Sequence, residues 1–341
     1  MFKAHFTSTM KLKIQKLVYY LSLILILSVV VIVFWGLWVS SRPQSSKLGN
    51  FSSCIQHMQS NIDPNHFTFL AAGDPKGGTA TFESLIDSVY GDSPSFLVVT
   101  GDFVSESTVM NHKLFAWEMS EHSKKMQIFV VPGNHDVSSD SFTVEDFRTI
   151  YGADQFSLTI GRNLFIFLND LPQYNTEGQY LTFLEKSLSD FSGQGRKTFI
   201  FMHIPPTNVI PGILCNSLQN NEDFLKLINR YNVDYVFAGD HHGYAKEKVG
   251  PTTFIVSGGG GARLRGQHGR FFHVTRIAID NEDVTEIVIA GKHKLETTEL
   301  LEYNIVVHLW PYLRNNPLCS IVVFLLAFGY FVWFRFKRKF V

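Results

Sequence analysis

Val131-Pro132-Gly133-Asn134-His135-Asp136 is the stretch on which the reading of this chain turns. It follows the apolar run Ile128–Val131, expected as a buried strand, and breaks at once into an amide, an imidazole and a carboxylate. In open α/β sheets, sites form in the loops outside the carboxyl ends of the strands. Asn offers an uncharged oxygen to a hard metal, His ligates or passes protons, and Asp can orient the His. Taken alone, the tetrapeptide reads sooner as a polar turn built on Gly-Asn. The other strands change that balance.

Upstream, Phe67–Ala72 is expected as a strand ending in Gly73-Asp74-Pro75-Lys76-Gly77-Gly78, and Phe96–Thr100 as one ending in Gly101-Asp102. Downstream, Lys197–Met202 runs into His203-Ile204-Pro205-Pro206. Val233–Ala238 runs into Gly239-Asp240-His241-His242-Gly243. Apolar strands thus end in Asp74, Asp102, Asn134, His203, and Asp240 with His242. Oxygen and imidazole donors in this mixture suit Mn, Fe or Zn. A carboxylate from a central strand, such as Asp102, can bridge two ions. Two ions about 3.5–4 Å apart can clamp a phosphoryl group and activate the attacking water.

Between these strands the spacing predicts helices over Thr81–Tyr90, Glu106–Ser123, Ser141–Tyr151, Gly178–Phe191 and Glu222–Arg230. Gln155–Ile160 and Asn163–Leu168 read as a hairpin through Gly161-Arg162. The β-like runs Thr253–Val256, Phe271–Ile279 and Val284–Ile289 are expected to form a second sheet packed on the first.

The order Gly-Asp, Gly-Asp, Gly-Asn-His-Asp, a lone Met-His and Gly-x-His-His resembles the calcineurin-like metallophosphoesterase family, over about Phe67–Ile289. The resemblance implies an α/β fold of four layers, two mixed β-sheets packed face to face and flanked by helices. It also implies two divalent ions (Mn, Fe or Zn) at the strand ends and hydrolysis of a phosphate ester by a metal-activated water. By position in the motifs, Asp74 and Asp102 match the first two aspartates, with Asp102 bridging the ions. Asn134 and His203 match ligands of the second ion, and His242 a ligand of the first. Asp240 remains competent as a further ligand. His135 matches the residue that steadies the phosphate or protonates the leaving group, and Asp136 would hold its ring through the other nitrogen.

Two departures stand out. The usual Asp-x-His is Asp74-Pro75-Lys76, and the usual Gly-His-x-His is Gly239-Asp240-His241-His242. The purple acid phosphatase branch also lacks the first of these histidines but supplies a Tyr after the second motif; Gly101-Asp102-Phe103-Val104 offers none. A protonated lysine is repelled by a metal, so the first ion is expected to be weakly held by Asp74, Asp102 and His242. Lys76 reads either as a phosphate-binding cation or as a solvated loop lysine. Arg263, with Arg265, reads as a contact for an anionic substrate or as surface charge. His241 is expected as an exposed loop histidine. Gly258–Gly261 would approach phosphate through backbone N–H groups or make a plain turn. The competing function is a binding or regulatory protein of the same fold that has lost turnover.

The 341 residues carry no net charge, but the charge is unevenly placed. All 30 acidic residues lie within Ser40–Tyr303, whereas nine of the 30 basic residues lie outside it. An acidic central region argues against nucleic acid as a partner and leaves a phosphorylated small molecule or a lipid-linked phosphate. Leu17–Val39 and Pro317–Phe334 are free of charge and long enough to cross a bilayer. Lys3, Lys11, Lys13 and Lys16 precede the first, and Arg335, Lys337, Arg338 and Lys339 follow the second. Both termini are therefore expected in the cytoplasm and the catalytic region outside it. The first segment's apolar core exceeds that of a signal peptide, and no small-x-small site is evident near Ser40-Ser41. The expected organisation is a basic N-terminus (1–16), a span (17–39), a linker and entry segment (40–65) and a metallophosphoesterase domain (66–303). An interfacial segment (304–316), a second span (317–334) and a basic tail (335–341) complete it. Cys54 and Cys215 could pair in an oxidising compartment but lack zinc-ribbon spacing.

Overall fold

A computed structural model describes residues 8–41, 48–174, 178–191, 197–266, 269–292 and 316–337, with 304, 309, 312 and 313. Two compact units result: Pro43–Glu299, and Met1–Arg42 with Leu300–Val341.

The strands of the larger unit are β1 (His66–Ala72), β2 (Phe96–Thr100), β3 (Gln127–Val131), β4 (Phe156–Ile160), β5 (Asn163–Phe167) and β6 (Thr198–Phe201). They continue as β7 (Tyr235–Ala238), β8 (Tyr244–Val249), β9 (Thr252–Ser257), β10 (Phe272–Asp280) and β11 (Asp283–Gly291). One sheet has the order β11-β10-β1-β2-β3 and the other β4-β5-β6-β7-β9-β8. β1, β2 and β3 are parallel, as are β5, β6, β7 and β9. The flanking strands β4, β8, β10 and β11 pair antiparallel. Both sheets are therefore mixed, as expected.

Period-2 alternation explains how the sheets stack. β1 sends Phe67, Phe69 and Ala71 into one apolar cluster and Leu70 and Ala72 into another. β2 splits Phe96 and Val98 from Leu97 and Val99 in the same way, and β3 splits Phe129 and Val131 from Ile128 and Val130. Phe165, Phe167, Phe199, Phe201, Phe237 and Ile255 of the second sheet complete the first cluster, which is the layer between the sheets. Much of it is aromatic. Phe69 stacks on Phe96, Phe165 on Phe199 and Phe167 on Phe201, each pair with centroids 5.0 Å apart. Such pairs add about 0.5–1.5 kcal/mol beyond area burial. The helices cover the outer faces. Phe82, Leu85 and Ile86 of one helix (Thr79–Asp87), with Tyr180, Leu184 and Leu188 of another (Gln179–Asp190), bury in the second cluster.

Two expectations are corrected, for the C-terminal β-runs and for the helix Glu106–Ser123. The three C-terminal β-runs do not make a sheet of their own. β9 joins the second sheet beside β7, while β10 and β11 extend the first beside β1. Periodicity marked their buried faces but not their neighbours. β8 went unread because Lys246-Glu247-Lys248 looks like a loop; charge on an outermost strand blunts further pairing. The entry segment after the linker contains a helix, Ser52–Asn61, which buries Cys54 and Met58. The expected helix Glu106–Ser123 is two, Val109–Glu118 and His122–Lys125; Thr108 caps the first by accepting the Asn111 N–H. No disulfide joins Cys54 to Cys215, a pairing the sequence left open.

In the smaller unit, the helix Ser8–Ser41 holds the stretch Lys13–Trp38, with mean hydropathy 2.9 and long and apolar enough to cross a membrane. Leu17, Phe34 and Leu37 are exposed along it, as suits a helix surrounded by lipid. In the helix Pro317–Lys337 the apolar stretch found among the described residues is Phe324–Trp333, shorter than the span expected there. Tyr19 of the first helix stacks on Phe331 of the second at 5.0 Å. The expected interfacial segment lies largely outside the described residues.

Candidate metal centre

Each parallel strand hands its polar residues to the chain just beyond its carboxyl end, where the backbone turns sharply. Asp74, Asp102, Asp240 and His242 all have positive φ, 56°, 55°, 63° and 53°. Left-handed backbone is disfavoured for residues with a Cβ, and its clustering is typical of functional sites. The packing is close: a Cβ on Gly133 would lie 2.2 Å from Asp102 N and 2.5 Å from Asp102 Oδ1. Only glycine lets the loops after β2 and β3 touch there.

The turns bring Asp74, Asp102 and His203 together, with one ligand atom of each within 4.8 Å of the others and all three buried. His203 Nδ1 lies 2.9 Å from the Thr100 carbonyl oxygen, which it can serve only as a donor. Nε2 is thereby left facing the cluster, 3.1 Å from Asn134 Oδ1 and 3.4 Å from Asp102 Oδ1. His242 is set the same way: Nδ1 donates to the Arg263 carbonyl at 3.0 Å, and Nε2 lies 3.6 Å from Asp74 Oδ1. Metal-ligating histidines are commonly fixed by such a bond from the other nitrogen. Asp74 Oδ1, Asp74 Oδ2 and His242 Nε2 are buried without any hydrogen bond. Buried polar atoms are rarely left so, and a cation, whether a metal ion or the nearby Lys76 ammonium, is one partner that a carboxylate and an imidazole lone pair can share.

The charges agree. Burial alone would depress the His203 pKa, but Asp102, Asp74, Asp240 and Asp170 push it up to about 10. Burial would raise Asp102; His203 and Lys76 bring it down to about 2. Burial holds Asp74 well above the usual carboxylate range. Burial also takes His242 down to about 4, with Lys76 and Arg265 adding to the effect. So many carboxylates packed together call for positive charge, which a divalent ion supplies.

The remaining candidates take definite places, some of them other than expected. Asp136 does not hold the His135 ring. Its Oδ2 accepts the N–H groups of Asp102 at 2.8 Å and Gly133 at 2.7 Å, and its Oδ1 that of Val104 at 3.0 Å. It ties the ends of β2 and β3 together, and the Ser105 carbonyl orients His135 Nδ1 at 2.9 Å instead. Asp240 turns both oxygens to Asn216, whose backbone N–H and side-chain amide they accept, and lies 3.9 Å from His203 Nε2. Lys76 is no solvated loop residue: its ammonium pairs with Asp102 Oδ2, and its side chain is 11% exposed. The Arg263 side chain is exposed, and the bond it makes to the site comes from its backbone. His241 is buried and accepts the Leu214 N–H at 2.9 Å, which fixes the loop above the cluster. In the glycine run, the Gly258 and Gly260 N–H groups go to the Gly243 and Gly73 carbonyls, not outward to an anion.

Two supporting residues escaped the sequence reading. Asp170, just past β5, accepts the N–H groups of His203 and Ile204. The signal was present: Asn169-Asp170 follows an apolar strand like the other motifs. His112 had no such signal. Buried and stacked on Phe142 at 3.7 Å, it bonds the Asp136 carbonyl through Nε2 at 2.8 Å and Tyr151 Oη through Nδ1 at 3.1 Å.

Two mixed sheets with an acid and imidazole cluster at their shared strand ends define a metallophosphoesterase architecture. The sequence profile of the calcineurin-like phosphoesterase family matches residues 67–244, and the chain belongs to that family. Human serine/threonine-protein phosphatase CPPED1 is similar, 24% identical over 208 residues that cover 52% of this chain and 62% of that protein. The match thus spans under two thirds of that relative. The yellow lupin (Lupinus luteus) purple acid phosphatase PPD1 shares the fold, with TM-score 0.55 and 14% identity over 68% of this chain and 52% of that one. So does a dimetal phosphatase from Danio rerio, with TM-score 0.50 and 12% identity over 67% of this chain and all of that one.

Proposed function

We propose that this protein is a membrane-anchored, metal-dependent phosphoric ester hydrolase whose catalytic unit lies outside the cytoplasm. The observation that carries the reading is the buried convergence of Asp74, Asp102 and His203, with Asn134 Oδ1 3.1 Å from His203 Nε2.

Asp102, Asn134 and His203 would hold one divalent ion. Asp74 and His242 flank a second position that shares Asp102 with Lys76. Asp240 acts chiefly on the Asn216 loop. A bound divalent ion supplies Lewis acidity, neutralising phosphoryl charge and acidifying water. The chain's own residues do the rest. His135, fixed through Nδ1 by the Ser105 carbonyl, keeps Nε2 as the nitrogen that exchanges a proton with the ester oxygen. Asp136 holds the Asp102, Gly133 and Val104 amides, so that the loop presenting His135 keeps its place. Lys76 contributes positive charge beside the cluster.

The apolar helix Ser8–Ser41 and the basic residues outside both terminal apolar segments support the anchoring and its orientation. An anchored enzyme of this kind suits a phosphorylated small molecule or a lipid-linked phosphate. The test is metal analysis of the full chain purified in detergent, with hydrolysis of an aryl phosphate before and after chelation. Activity lost with the metal and restored by Mn²⁺ is expected. A chain that holds no metal and cleaves nothing would instead be the binding or regulatory protein.

A further inference from the structure

Lys76 breaks the family pattern at the residue where a ligand is usual, and the structure gives it a definite place. Its ammonium pairs with Oδ2 of the fully buried Asp102. The placement is built into the backbone. Asp74 N donates to the Gly101 carbonyl at 3.0 Å and Lys76 N to the Asp102 carbonyl at 3.1 Å, lacing the loop after β1 to the end of β2 on both sides of Pro75. Asp102 Oδ1 is committed elsewhere: it accepts the His135 N–H at 2.9 Å and lies 3.4 Å from His203 Nε2. The carboxylate is divided, one oxygen on the ammonium and one toward His203. Beyond the ammonium, Asp74 and His242 Nε2 remain open.

We propose that the Lys76 ammonium replaces one of the two divalent ions that the motifs lead one to expect. The centre then holds a single divalent ion, at Asp102, Asn134 and His203, and Lys76 completes its charge. This deepens the phosphoesterase reading and rests on it. A second ion needs Asp102 Oδ2, which Lys76 holds, and would meet a like charge in a buried setting where screening is weak. An ammonium brings charge and three donors but takes no ligand, so it balances the carboxylates without acidifying a water. Asp74 and His242 form a latent position, opened when the ammonium is removed.

Mn²⁺ bound to the full chain in detergent, counted by equilibrium dialysis and observed by electron paramagnetic resonance, tests this. The wild type should hold one ion per chain with the hyperfine pattern of an isolated Mn²⁺. Lys76→Met keeps the aliphatic stem and removes the charge; it should raise the count to two and bring an exchange-coupled spectrum. Two coupled ions in the wild type would overturn the proposal while sparing the phosphoesterase reading, and no ion at all would overturn both. A folded Lys76→Met that still holds one ion would also overturn it. If Lys76→Met fails to fold, the wild-type count decides alone.

Discussion

Asp170 accepts the His203 N–H through Oδ1 at 3.1 Å and the Ile204 N–H through Oδ2 at 2.7 Å. One buried carboxylate thus fixes the backbone from which the His203 imidazole reaches the cluster, and burial raises its own pKa to about 6. Outer partners of metal ligands typically matter by about 10–100-fold in affinity. Asp170→Asn should weaken Mn²⁺ binding by about that factor, measured by competition with a metallochromic dye. Unchanged affinity in a folded variant would mean that the His203 loop holds itself.

His135 and Asn134 should separate chemistry from metal binding. His135→Ala is expected to keep its metal and lose about 10²–10⁴-fold in turnover, the usual contribution of one proton-transfer group. Asn134→Ala should lose metal, since its Oδ1 lies 3.1 Å from His203 Nε2. Metal content measured beside kcat decides, and loss of metal from His135→Ala would reverse the assignment.

The cluster also sets a pH dependence. In the folded metal-free chain His203 keeps its proton up to about 10, against a reference value of 6.5. The stability it contributes is fully present below pH 6.5 and is lost as the pH rises toward 10. Asp136, pushed up to about 8 by burial and Asp102, acts in the same sense above its reference value. Burial depresses His112 to about 3 and His242 to about 4, so these oppose below 6.5. The melting temperature of chelator-treated protein should therefore fall from about pH 6.5 to about pH 9. His203→Gln should flatten that slope, and Mn²⁺ binding near neutrality should release about one proton from His203. A melting temperature that climbs over this range would contradict the account.

A Cβ on Gly258 would stand 2.4 Å from Asp74 Oδ2 and 2.9 Å from His242 N. Gly258→Ala should therefore destabilise the fold by about 1–3 kcal/mol, as overpacking does, and weaken metal binding. Gly91→Ala is the control, because its Cβ would meet nothing within 4 Å; its effect should stay within about 0.5 kcal/mol. Denaturant titration compares the two, and equal effects would dismiss the close-approach argument.

Protease added to intact cells should cut within Ser40–Asn316 and leave tags at both termini protected. Exposed tags with a protected central region would invert the proposed orientation.

What the sequence determined was local. Apolar runs of strand length, each ending in Gly-Asp, Gly-Asn-His-Asp or Met-His, identified the parallel strands and placed polar residues at one end of them, because side-chain alternation and turn residues are short-range properties. They also led to the family. What only the tertiary structure decided depends on partners far away in the chain. β10 pairs with β1 across the length of the domain, and no periodicity names a strand's neighbour. Asp136 looked like the partner of adjacent His135, yet the amides of Asp102 and Val104 reach it first. His241 looked exposed until the Leu214 loop folded over it. Lys76 read either as a phosphate-binding cation or as a solvated lysine, and the lacing of the loop after β1 to β2 set its ammonium on Asp102. In each case burial, not residue type, set the role, since a charge or an imidazole removed from water must take whichever partner the packing brings within reach.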